Sequence, residues 1–355
     1  MLKKLLVVFL SVVMVLGFAA CGEKPVDEPS GDAPQDTTSS DIVSSEAPAV
    51  PVEKIPENLN PLTGVYEADG IAKLRPVCIM VNNDIRAQNA QAGLPEADII
   101  YETEIEGGET RLMAVFQDVE NVPNIGTVRS ARIPFIDLAQ GHSAVYIHRG
   151  CEVTTVKPYV TQFDRIDIHE NLLGERLNNG LAFEHTLYTH GSILWKGIGD
   201  RFTTTLENAQ PWQNFAAEDE AVSLNGGAAN TVTVKFSRNF ISIFKYDSAT
   251  GLYERNFKSS VPTEYFTKES TKVKNVVVCL TDIKDHANGI HRDIALTSGE
   301  GYYFTNGTYQ KIKWSKGNAA DGLKFMNEDG TPLKMSAGNT WVCVASQRYS
   351  VPTFE

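Results

Sequence analysis

The sequence has few cysteines. After Cys21 only Cys78, Cys151, Cys279 and Cys343 remain, and no two stand in a CxxC spacing. Zinc-finger and thioredoxin-like chemistry is thereby excluded. No HExxH, GxSxG, Walker loop or GxGxxG occurs either, so zincin, serine-hydrolase, nucleotide-triphosphatase and dinucleotide readings have no residues to rest on. Positive charge is in deficit, with 32 Lys and Arg against 44 Asp and Glu. A formal net charge of -12 argues against nucleic acid as a partner and against polybasic docking on anionic lipid. Between Gly22 and Glu57 there is no aromatic residue at all, and Pro, Ser, Thr, Ala, Asp and Glu dominate. Such a segment cannot bury enough apolar area to offset the entropy of ordering its backbone. Residues 21–57 are therefore expected to be a disordered acidic tether, extended by its own charge.

The apolar run Leu5 to Ala20 falls short of the roughly 20 residues a spanning helix needs. Lys3 and Lys4 precede it, and Phe18-Ala19-Ala20-Cys21 closes it with small residues before a cysteine. This reads as a lipoprotein signal peptide over residues 1–20, with Cys21 as the acylated first residue of the mature protein. At about 0.8 kcal/mol per buried CH2, two or three acyl chains would hold it on the membrane, on the extracytoplasmic face.

The remainder is long for one core and is expected to form two domains, 58–220 and 231–355. The boundary falls in AEDEAVSLNGGAANT, where an exposed linker with few contacts across it is expected. In the first segment strand signals at Pro76 to Val81, Asp98 to Ile105, Arg111 to Gln117, Gly126 to Arg129 and Ala144 to His148 alternate with helix signals. The helices are Ile133 to Gln140, Val153 to Val160 and Ser192 to Ile198. The second segment reads almost wholly as strands, with hairpin signals at Asn306-Gly307 and Asp329-Gly330. The fold class expected is α+β: an N-terminal α/β layered domain with a mixed sheet, followed by a mainly β C-terminal domain. Cys78, Cys279 and Cys343 lie in apolar runs and read as buried strand residues, with a Cys279–Cys343 disulfide open in an oxidising compartment.

NPLTG at Asn60 to Gly64, RPVCIMVNN at Arg75 to Asn83, ADIIYETEIEGGETRLMAVFQ at Ala97 to Gln117, IGTVRSAR at Ile125 to Arg132 and EHTLYT at Glu184 to Thr189 resemble the YerB-like bacterial lipoproteins. YFTNGTYQKIKW and GNTWVCVA resemble that family's C-terminal domain. The resemblance implies a lipoprotein built from two domains of unknown function. It implies no reaction.

The polar residues within these motifs are the candidates for function. Alternation along ADIIYETEIE puts Tyr101, Thr103 and Ile105 on one strand face and Glu102, Glu104 and Glu106 on the other. Gly107-Gly108 then reverses the chain, which could return Arg111 beside the carboxylates. Glu102 and Glu104 are the acid and base candidates, and a structural carboxylate–arginine cluster is the competing reading. RSAR joins a short strand to a helix, where Ser130 could cap the helix and Arg129 and Arg132 could hold a phosphate or carboxylate by bidentate hydrogen bonds. His148 ends a strand and His185 lies in a polar loop, both as ligand-binding candidates without zinc spacing.

The order of VNND, Asp98, GTVRSAR and AVYIHRG resembles, more distantly, the LytR-CpsA-Psr phosphotransferases. That resemblance implies Asp84 and Asp98 as ligands of Mg2+ and Arg129 and Arg132 as a pyrophosphate clamp. The favoured reading is a lipid-anchored envelope protein that binds an anionic or glycan component through its arginines. The alternatives are Mg2+-assisted phosphoryl or glycosyl-phosphoryl transfer, and a protein scaffold using an aromatic patch such as Tyr302, Tyr303, Phe304 and Trp314.

Overall fold

A ten-stranded mixed sheet organises residues 54–355, the part of the chain that the computed structural model describes. Cys21, the leader and most of the tether lie outside the described residues. Across the sheet the order is Lys324–Met326, Thr308–Ser315, Ser298–Thr305, Asn275–Thr281, Thr340–Ser346, Ile99–Glu104, Thr110–Phe116, Val77–Val81, Val145–His148 and Arg165–Asp167. The long central strands are buried on both faces, which is why VCIMV, NVVVCLT and TWVCVAS read as apolar runs rather than alternating ones.

Two layers cover this sheet. On one face, helices α1 (Ile133–Gln140) and α2 (Val156–Val160) lay Phe135, Ile136, Leu138, Val156 and Val160 onto Cys78, Met80, Met113 and Tyr146. On the other, a five-stranded sheet runs in the order Lys272–Val273, Leu252–Phe257, Ile241–Asp247, Thr231–Lys235 and Thr353–Phe354. Its Val232, Val234, Phe244 and Tyr253 pack on Ile100, Leu112, Val278 and Trp341, joined there by Leu194 and Ile198 of helix α3 (Gly191–Gly199). Phe244 meets Trp341 edge-on at 5.5 Å, a geometry worth about 0.5–1.5 kcal/mol beyond the area it buries. The fold is mainly β, with three short α-helices among the described residues.

The two sequence segments share the large sheet. Thr340–Ser346 inserts between Ile99–Glu104 and Asn275–Thr281 and runs parallel to both. The expectation of few contacts across the boundary is corrected accordingly: the described residues 54–355 form one compact unit. The boundary segment itself is docked, with Gly226 N–H donating to Tyr309 O at 2.9 Å and Glu220 paired with Lys334.

The Asn306-Gly307 hairpin forms as expected, with φ of 51° and 70°. A Cβ at Gly307 would also stand 2.7 Å from Tyr246 Cδ1, so both conformation and space require glycine there. The Cys279–Cys343 disulfide is absent and all four described cysteines are free. Cys279 faces the helix layer and Cys343 the second sheet, so the sheet itself stands between the thiols. The proposed aromatic patch is no patch either: Tyr303, Phe304 and Trp314 are buried, and Tyr302 packs against the core.

Candidate functional site

The strands Val77–Val81, Ile99–Glu104, Val145–His148, Arg165–Asp167, Asn275–Thr281 and Thr340–Ser346 all point the same way in the sheet. Their carboxyl ends therefore form one edge. Asp84, Glu104 and His148 come to that edge, and so does Arg111 at the start of the antiparallel strand Thr110–Phe116. In sheets with parallel strands such an edge is the usual place for a binding crevice.

Asp98 does not join them. It precedes Ile99–Glu104, so the length of a strand, roughly 17–20 Å, separates it from the edge where Asp84 lies. Asp98 accepts hydrogen bonds from Asn60 Nδ2 (2.8 Å) and the Gln117 N–H (2.6 Å), and burial pushes its carboxyl up to about 7. Asp84 is held by Arg86 through two hydrogen bonds of 2.9 and 2.7 Å, which together with its charge pull the carboxyl down to about 2. The two aspartates thus do not share a cation site, and among the described residues no group of three His, Cys, Asp or Glu could hold a metal ion.

The Glu102–Glu104–Arg111 grouping also separates. Arg111 sits directly opposite Thr103, and residues opposite one another in an antiparallel pair share a face. Arg111 is therefore on the helix side with Thr103, and Glu102 is on the side of the second sheet. There Glu102 is fully buried and accepts from Asn83 Nδ2 (3.0 Å), Thr110 Oγ1 (2.8 Å), Ser242 Oγ (2.8 Å) and Trp341 Nε1 (3.2 Å). Burial raises its carboxyl while the nearby Arg255 charge opposes the rise. Arg255, itself buried, donates to Gln88 Oε1 and Asn83 Oδ1, making this a polar seam between the two sequence segments. Glu104 accepts from the Tyr349 hydroxyl (2.6 Å) and Arg292 Nη2 (3.3 Å). Sequence reasoning missed Arg255 because nothing in LYERNF distinguishes a buried arginine from a surface one.

The RSAR motif laces the edge together. Arg129 N–H donates to Met80 O, Arg149 N–H to Arg129 O and Ala131 N–H to Gly150 O, joining the ends of two strands. Ser130 does not cap α1. The N-cap is Arg132, with no side-chain cap bond, and Ser130 O instead accepts from Arg111 Nη1 at 3.2 Å. Arg132 forms a bidentate pair with Glu106, a partner that ETEIEGG offered but alternation assigned elsewhere.

Arg111 and Arg129 have no such partner. Among the described residues no carboxylate lies within 4.0 Å of either guanidinium, and the Nε of each is buried without a hydrogen-bond acceptor. Arg111 is 3% exposed; burial, with repulsion from Arg132 and Arg129, pulls it down to about 9. The Arg129 guanidinium donates only to Glu184 O (2.7 Å) and is lowered by its own burial. Two histidines add polar atoms of defined character. Asn82 Oδ1 accepts the Asp84 N–H, so its Nδ2 is the donor toward His185 Nδ1 at 2.8 Å. His185 therefore carries its hydrogen on Nε2, which is buried and unpartnered. His148 donates from Nδ1 to Gly150 O (3.0 Å), which leaves Nε2 a buried, unpartnered acceptor. Burial lowers both imidazoles.

Comparison with known proteins follows the same outline. The DUF3048 N-terminal domain, described as a protein of unknown function, matches residues 62–205, and the DUF3048 C-terminal domain matches residues 232–342. The "Putative lipoprotein YerB" of Bacillus subtilis (strain 168) is 26% identical over 301 residues, spanning 79% of this chain and 84% of its own. The crystal structure of the Bacillus subtilis YerB protein superposes with a TM-score of 0.72 at 24% identity, covering 82% of this chain and 98% of that one, and so shares the fold. The two domain matches together span well over half of the sequence, and the chain belongs to the YerB-like family defined by paired DUF3048 N- and C-terminal domains.

Proposed function

We propose that the protein is a lipid-anchored, extracytoplasmic envelope protein that binds an anionic group of an envelope component at Arg111 and Arg129. The anchoring rests on the leader ending at Cys21 and on similarity to a relative named as a lipoprotein. A single observation carries the binding: two mostly buried guanidiniums lack a carboxylate partner. A buried charge without a counterion costs several kcal/mol, so a site holding two of them is built for an anion from outside. The His185 Nε2–H adds a further buried donor near Arg129, and α1 begins beside Arg132 with its N-terminus uncapped by any side chain. Phosphate and carboxylate both suit the planar fork of arginine.

Calorimetric titration of the full chain in detergent with inorganic pyrophosphate and with a phosphorylated glycan, each with and without Mg2+, tests this. The parent should bind, and the Arg111→Ala, Arg129→Ala double variant should bind at least about tenfold more weakly while keeping its fold. Arg129→Lys should recover little, since a point charge does not reproduce the bidentate contact. A double variant that binds like the parent would overturn the reading, and binding that requires Mg2+ would favour the transferase instead.

A further inference from the structure

A cavity of about 390 Å³ lies beside the arginine site, between the end of Ile99–Glu104, the start of α1 and the hairpin formed by Ile283–Asp285 and Arg292–Ile294. We propose that this cavity is a separate binding site for a neutral, hydroxyl-rich ligand with an apolar face, that is, a pyranose sugar. The cavity would take such a ligand whether or not the arginines hold an anion.

An anion is disfavoured by the charges in the wall, where each Arg and Lys already has a carboxylate partner while Asp137 and Asp293 have no Lys or Arg of their own. Arg132 is paired with Glu106, Arg292 with Glu104 and Asp285, and Lys284 with Asp282. An anionic ligand would have to break one of these pairs, whereas a neutral one need not. The floor is apolar, built from Ile105, Ile133, Pro134, Val156 and Ile294. That surface suits the C–H face of a sugar ring.

The polar groups left over are of the kind that hydroxyls satisfy. His291 is 7% exposed, yet neither ring nitrogen has a hydrogen-bond partner. Nδ1 stands 3.9 Å from Glu106 Oε2 and Nε2 3.7 Å from Glu152 Oε2, both beyond hydrogen-bond reach. Glu104 uses only Oε2 and Asp137 only Oδ1, the latter accepting from the Tyr159 hydroxyl at 2.5 Å, so each has a second oxygen free to accept. A hydroxyl is both donor and acceptor. It can take a hydrogen bond from an imidazole N–H or give one to its bare nitrogen, and at the same time donate to a carboxylate. An ammonium or a carboxylate has only one of these capacities.

Saturation-transfer NMR on the full chain in detergent, with glucose and N-acetylglucosamine as probes, reads the binding directly, and glycine serves as a charged control. Transfer to the sugar ring protons is expected in the millimolar range, with none to glycine. Ala295→Trp, at an exposed rim position, should fill the cavity and abolish transfer. His291→Ala should weaken binding by about tenfold, the loss expected for one or two hydrogen bonds. Arg111→Ala should leave the sugar signal unchanged, which separates this site from the anion site. Absence of transfer at saturating sugar, or transfer that survives Ala295→Trp, overturns the proposal.

Discussion

Replacing Arg111 with Met separates a binding arginine from a structural one by the sign of its effect. In the unoccupied protein the guanidinium is buried without a counterion, and its drop from an ordinary 12.5 to about 9 corresponds to an upper bound of about 5 kcal/mol. It remains charged at pH 7, so this penalty is present there. Methionine keeps the aliphatic stem and discards the charge. Allowing for relaxation and the lost bond to Ser130 O, the variant should be about 1–3 kcal/mol more stable than the parent. At ~2 °C per kcal/mol for a unit of this size, its melting temperature should rise by about 2–6 °C. Saturating anion should act the other way round. At a hundredfold excess over its Kd, pyrophosphate should stabilise the parent by about 2.7 kcal/mol and the Met variant scarcely at all. Differential scanning calorimetry with and without pyrophosphate measures both. A Met variant that melts well below the parent, or one that keeps the full anion-dependent rise, would refute the reasoning.

Two further outcomes are expected. Cys21→Ser should release the protein from the membrane, since no helix among the described residues is long and apolar enough to cross one; retention in the membrane pellet after a high-salt wash would sink the anchor. Burial tends to raise the Glu106 carboxyl, but two hydrogen bonds from Arg132 and its charge outweigh that and hold it down to about 2. A depressed acid contributes stability that is present above the ordinary value of 4.5 and lost as pH falls toward 2. Glu106→Gln should therefore flatten the acid limb of a stability–pH profile, by about 1–2 kcal/mol given that the carboxylate is a third exposed, and an unchanged limb would contradict the pairing.

The elements with strong local signals were legible in the sequence. Ile133–Gln140 forms over the residues expected, because the apolar spacing of IPFIDLAQ depends little on distant partners. Arg165–Asp167 and Lys324–Met326 were not legible, since three residues carry no period. The merging of the two segments escaped for another reason: pairing between Ile99–Glu104 and Thr340–Ser346 is set by which edges meet in space. The candidate site shows how parity alone can mislead. The edge position of Arg111 and the RSAR arginines was readable, but which face Arg111 takes depends on the length of the turn at Glu106–Gly108, and Thr103 rather than Glu102 or Glu104 became its opposite number.

The central place of Thr340–Ser346 bears on how the molecule is made. Its neighbour Ile99–Glu104 precedes it by some 240 residues, and the Thr103 hydroxyl waits on the carbonyl of Val344 across a separation of 241. During synthesis from amino to carboxyl end, the first half of the sheet therefore emerges with one long apolar edge uncovered, and the second half lacks the strand that lies against Asn275–Thr281. Neither half can close until the last long strand arrives. Parallel pairing over such a distance is slow and leaves an open edge exposed to other chains, so this topology makes the nascent protein dependent on being kept apart from its neighbours until synthesis is complete.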